Sequence, residues 1–197
     1  MPQSIEKQFI PVRLANRKRF TEADCEFLER SGLLDDQYEL IEGDIVPKMP
    51  QKNPHRLTVI RLIAWLTTVF PTDLLGTQAT VRLSATSLPE PDGFVLTNAL
   101  PADRDYPEAS DVQMAIEVSD ATLADDLGTK ALLYASAGIA EYWVLDIVGR
   151  RLIAHRLPTP QGYDEVFACS EAESLAPLAR PEAAVLVSSL LSPEPTA

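Results

Sequence analysis

Two apolar runs separated by one helical period constrain this chain more than any other feature. Residues 112–118 read VQMAIEV and residues 142–147 read YWVLDI, each with the length and the apolar composition of a strand. Between them Leu123, Leu127, Ala131 and Tyr134 recur at helical spacing, and Gly138 follows. That pattern predicts a helix over 123–137, closed by the glycine. Strand, crossover helix and strand in succession form a βαβ unit, for which a right-handed connection is expected. YWVLDI has almost no polar alternation and is expected at the centre of a sheet. Gly149-Arg150 turns the chain into 152–156, expected as its antiparallel neighbour.

Upstream, Thr21-Glu22-Ala23-Asp24 has the pattern of a capping box, opening a short helix that Gly32 ends. Residues 38–41 and 45–49 flank Glu42-Gly43-Asp44, which predicts a β-hairpin with glycine in its turn. Pro54 opens a helix to about Phe70, with Val59, Leu62, Ile63 and Leu66 as its apolar stripe, and Pro71 stops it. Strands are expected at 78–83 and 93–96, with a loop over 97–110. The fold class expected is α/β (α+β): a mixed sheet with helices packed on it. We place an N-terminal extension at 1–20, one domain at 21–191 and a frayed tail at 192–197.

The chain has 197 residues, 46% of them apolar, so one domain with a real core is expected and global disorder is not. No apolar run reaches the length of a membrane span. The polar start lacks the apolar segment of a secretory signal, and two distant cysteines, Cys25 and Cys169, read as reduced thiols in a cytoplasmic protein. A net charge of −12 argues against a broad basic nucleic-acid surface but leaves room for a local grip on a few phosphates. The basic clusters Arg13, Arg17, Lys18, Arg19 and Arg150, Arg151 read as solvated surface. His55 and His155 are the only histidines and have no partner at zinc-ligand spacing. No phosphate-binding glycine loop and no serine elbow occur. Trp65 and Trp143 read as core residues.

Strand alternation puts Val112, Met114, Ile116 and Val118 on one face and Gln113, Ala115 and Glu117 on the other. Glu117 alone reads most simply as a carboxylate on a solvated face. Pro91-Asp92 leads into GFVL, and an Asp in a turn before a strand is common. Brought together, the two carboxylates would form a hard-oxygen site suited to Mg²⁺. Lys130 stands at the margin of the helix stripe, between Leu127 and Tyr134. It either points at an anion or makes an i,i+4 pair with Asp126 worth a few tenths of a kcal/mol.

YELIEGDIV (38–46), His55 at a helix start, PDGFVL (91–96), IEVSDATLADDLGTKALLYASAGIAEYWVLD (116–146) and Gln161-Gly162-Tyr163 together resemble the Uma2 family, restriction-endonuclease-like proteins of the PD-(D/E)xK superfamily. The resemblance spans roughly 20–190. It implies that Asp92 is the Asp of the PD motif, that Glu117 is the acid of the second motif, and that Lys130 is a lysine supplied from the helix, because Ser119 stands where many members have lysine. Glu39 matches the family's hairpin carboxylate, implied to reach the metal or its waters. His55, Asp126 and Tyr134 match family positions without an implied role. Asp120 departs from the proline common after the serine. The resemblance implies Mg²⁺ or Mn²⁺ held by Asp92, Glu117 and Glu39, with the Val118 carbonyl as a natural further ligand. DNA is the implied partner and a homodimer is compatible with it. An active endonuclease is favoured by the intact Asp92, Glu117 and Lys130. The acidic total keeps open an idle fold that only binds DNA or a protein.

Overall fold

The computed structural model describes residues 18–194. The N-terminal extension up to residue 17, with Arg13 and Arg17 of the basic cluster, and the last three residues of the tail lie outside the described residues. In chain order the elements are α1 (Glu22–Arg30), the hairpin β1 (Tyr38–Ile41) and β2 (Asp44–Pro47), α2 (Asn53–Val69), β3 (Leu75–Gly76), β4 (Gly93–Leu96) and β5 (Val112–Ser119). A crossover helix follows in three pieces, α3 (Leu123–Asp125), a π-helical turn (Asp126–Lys130) and α4 (Ala131–Ser136). Then come β6 (Glu141–Asp146), β7 (Arg151–Thr159), β8 (Gly162–Ser170), β9 (Ser174–Leu175), β10 (Val185–Leu186) and α5 (Val187–Leu190). No helix among the described residues is long and apolar enough to cross a membrane.

Six strands form one sheet in the order β3-β4-β5-β6-β7-β8. β5 and β6 are parallel, as the crossover helix between them requires, and the other pairs are antiparallel. This is the mixed sheet with helices that the apolar runs predict, with all six residues of β6 buried at its centre. One face carries Met114, Ile116, Val118, Trp143 and Leu145 against Val59, Leu62 and Leu66 of α2 and Leu190 of α5. Trp65 stacks on Trp143 with ring centroids 5.9 Å apart, a core role as expected. The other face carries Ala115, Tyr142 and Val144 against Ala131 and Tyr134 of the crossover helix.

Three local expectations are corrected. Residues 78–83 are not a strand. Gln78 has a left-handed φ of 48°, and Gln78, Val81 and Arg82 donate to the carbonyls of Pro91, Pro89 and Pro107. Prolines accept but cannot donate, so pairing stops at one isolated two-way bridge, in which the Arg82 carbonyl accepts from Ala109 N–H, and no ladder extends from it. Val112 does not share the face of Met114. A bulge opposite Val95 and Leu96 shifts the register, and Val112 packs in the other cluster, beside Ala115. The helix over 123–137 is interrupted by its π turn, which periodicity alone does not reveal. The sequence-predicted hairpin turn holds. Glu42 and Gly43 both take positive φ, 48° and 80°, as both central residues of a type I′ hairpin turn do.

Candidate active site

Four elements deliver the site. Glu117 lies two residues before the end of β5, on the face covered by the crossover helix, and its residue is only 4% exposed. That helix removes the solvated face on which a lone carboxylate would ordinarily sit. Asp92 immediately precedes β4, which pairs with β5 through Gly93 and Ile116. Its Oδ2 accepts the Val118 backbone N–H at 2.8 Å, so the two carboxylates stand on neighbouring strands. The close approach of α2 over β4 uses a glycine. A Cβ at Gly93 would meet Leu62 Cδ2 at 3.3 Å.

Lys130 ends the π turn. Its Nζ donates to Glu117 Oε1 at 2.9 Å and to Glu39 Oε1 at 3.1 Å. With 14% of its side chain exposed it is no surface residue. The sequence alternative of a Lys130–Asp126 pair does not form. Asp126 is buried and accepts instead from the Thr122 hydroxyl at 2.7 Å. Glu39 comes from the β1 hairpin, which docks through Leu88 N–H on the Leu40 carbonyl and Glu42 N–H on Ser87 Oγ. Glu39 Oε1 also accepts the Glu90 backbone N–H at 2.7 Å. It therefore holds Lys130 jointly with Glu117. Ser119 is fully buried, 3.5 Å from the Thr122 hydroxyl.

Four further residues position these groups. Tyr134, one turn after Lys130, donates to Glu117 Oε1 at 3.0 Å. His55 Nε2 stands 3.1 Å from Asp92 Oδ2. Gln78 Nε2 reaches Asp92 Oδ1 at 3.3 Å, and the Thr77 hydroxyl donates to the Asp92 carbonyl. The family match singles out Tyr134 and His55 without a role. Gln78 escapes sequence reasoning because it reads as a strand residue. Its only signal is the Pro91-Asp92 pair it serves, fourteen residues later.

The electrostatics follow from burial of like charges. Burial pushes the Glu117 carboxyl up to about 8, against the pull of Lys130 and with added repulsion from Asp92, Asp126 and Glu39. Burial also raises Asp126, although Thr122 and Lys130 oppose it. Burial would lower Lys130, but the Glu117 and Glu39 carboxylates outweigh it and hold the ammonium above its usual range. His55 is likewise raised: burial lowers it, and Asp92, the Val118 carbonyl and Asp120 more than compensate. The result is a buried pocket of carboxylates with too few cations of its own.

The mixed sheet thus sets Asp92 and Glu117 on neighbouring strands, with Lys130 reaching Glu117 from the crossover helix. The chain belongs to the Uma2 family, whose model, described as "Putative restriction endonuclease", matches residues 26–187. A solved structure described as a "putative nuclease belonging to DUF820 from Anabaena variabilis ATCC 29413" superposes with a TM-score of 0.61 at 16% identity. It covers 83% of this chain and 96% of its own, a likeness of fold. Comparison with curated proteins finds no match.

Proposed function

We propose that this chain is a metal-dependent DNA endonuclease that hydrolyses phosphodiester bonds. Asp92 and Glu117 are its metal carboxylates and Lys130 is its charge stabiliser. The observation that carries this reading is the meeting of Lys130, Glu117 and Glu39 from three separate elements beside Asp92. The donors are hard oxygens, which suits Mg²⁺ or Mn²⁺. Each carboxylate keeps an oxygen in reserve: Asp92 Oδ1 meets only the distant Gln78 amide, and Glu117 Oε2 accepts no hydrogen bond from a described residue. Bound there, the ion would draw charge from the phosphoryl oxygens and acidify a water. The chain's own residues do the rest. The Val118 N–H and His55 fix the orientation of Asp92, and Tyr134 fixes that of Glu117. Lys130 presents a permanent positive charge to the anion that develops in the transition state. Glu39 holds that lysine and is placed to accept from an outer water.

Titration of Glu117 gives this reading a pH signature. A folded-state value of about 8 against an ordinary 4.5 means that folding favours the protonated acid. That contribution is complete below the ordinary value and is lost as pH rises towards the folded one. A cation requires the ionised form and must displace the proton. Apparent Mg²⁺ affinity should therefore rise about tenfold per pH unit from about pH 6 to about pH 8. Glu117→Gln should flatten the profile. Affinity independent of pH in the wild type would contradict the assignment.

A second reading, an idle fold that binds DNA or a protein partner, is favoured by one observation. Among the described residues no three His, Cys, Asp or Glu side chains are grouped to hold a metal ion. Supercoiled plasmid separates the two. The nuclease reading expects nicked and linear products with Mg²⁺ or Mn²⁺, none with EDTA and none from Asp92→Ala. The idle reading expects plasmid that stays uncut under all conditions, retarded where the fold binds DNA and not where it binds a protein.

A further inference from the structure

The longest stretch of the chain without Asp or Glu runs from Ile45 to Thr72, in a protein that carries 29 acidic residues. It holds Lys48, Lys52, His55, Arg56 and Arg61. The structure lays the start of this stretch along the rim of the carboxylate site. Lys48 pairs with Glu90, two residues before Asp92, at 2.8 Å. His55 touches Asp92 itself. Lys52 approaches Asp120, three residues after Glu117, at 3.7 Å.

Within this stretch Lys52 and Arg56 are the exposed cations, whereas Lys48, His55 and Arg61 are partly buried. Arg150, Arg151 and Arg156, the other sequence-local group, are bound to Glu171, Asp146 and Glu141 at 2.7–2.8 Å and serve the fold. Arg82 and Arg104 are likewise held by Glu22 and Asp111. Lys52 is 73% exposed and its carboxylate stands off at 3.7 Å. Arg56 is exposed and bonds only the neutral Asn53 Oδ1 at 2.8 Å. Both side chains are free to exchange these weak contacts for a stronger anion.

We propose that Lys52 and Arg56 form the surface that grips the duplex DNA backbone beside the scissile phosphate. The proposal rests on the nuclease reading and assigns its substrate-binding face. A chain with net charge −12 repels a polyanion at long range, so productive docking needs a local positive rim at the site. Two lysine or arginine contacts to phosphate release about two counterions, which appears as salt dependence and not as sequence preference.

The test is fluorescence anisotropy with a short labelled duplex, in an Asp92→Asn parent in which cleavage is blocked. Adding Lys52→Ala and Arg56→Ala should reduce the slope of log affinity against log salt by about two and weaken low-salt binding about tenfold or more. Arg150→Ala should leave the slope unchanged. Both rim side chains are exposed and Lys52 makes no side-chain cap bond to α2, so the melting temperature serves as a control for folding. If the parent binds duplex and the double variant keeps its slope, the proposal is overturned and the nuclease reading stands. If the parent shows no salt-dependent binding, the nuclease reading falls and takes the proposal with it.

Discussion

Lys130→Ala should cut metal-saturated cleavage by about a hundredfold or more, in line with loss of one electrostatic stabiliser of the transition state. Above about pH 8, where Glu117 is ionised, it should also destabilise the metal-free protein by about 3 kcal/mol, because it leaves the buried Glu117 and the half-buried Glu39 facing each other uncompensated. The exposed Asp126–Lys130 pair open to the sequence would predict almost no change in stability. The two effects separate. Added Mg²⁺ should recover much of the lost stability, since the ion compensates Glu117 directly, but little of the rate. A stopped assay beside a thermal melt, each with and without Mg²⁺, reads both. A variant that cleaves as fast as wild type would make Lys130 a structural counter-ion only.

Asp92→Asn should remove most of the thermal stabilisation that Mg²⁺ or Mn²⁺ confers. Asparagine keeps an oxygen to accept the Val118 N–H, so the strand ends stay joined, but it removes the charge a hard cation needs. At about a hundred times the dissociation constant, metal adds about 2.7 kcal/mol. For a chain of this size that is a rise in melting temperature of roughly 5–10 °C. The wild type should gain it and Asp92→Asn should lose most of it. Equal calorimetric binding of metal to both proteins would sink the assignment of Asp92.

The sheet and its crossover were legible because their signals are local and strong. VQMAIEV and YWVLDI pair as expected, and the glycine after Ala137 closes the helix between them. What escaped depends on contacts distant in sequence. Nothing in the 78–83 segment announces that Gln78, Val81 and Arg82 donate to prolines, which limits its pairing to an isolated bridge. The π turn is invisible to a pattern of apolar residues, because it shifts register within the helix without changing which residues are apolar. Lys130 was legible as a residue at a stripe margin. Its partners were not, because Glu39 lies 91 residues away and arrives on a docked hairpin. His55 and Tyr134 were visible only as family positions. Their service to Asp92 and Glu117 follows from the packing of α2 and α4 onto the sheet.

The central claim is that Asp92 and Glu117 share a divalent cation. Anomalous diffraction from crystals soaked in Mn²⁺ tests it most directly. The account predicts a manganese peak within bonding distance of an oxygen of each carboxylate, about 2.0–2.2 Å as for hard divalent ions on oxygen, and no such peak in Asp92→Asn crystals soaked identically. Manganese bound elsewhere on this acidic surface, with the space between Asp92 and Glu117 empty, would contradict it.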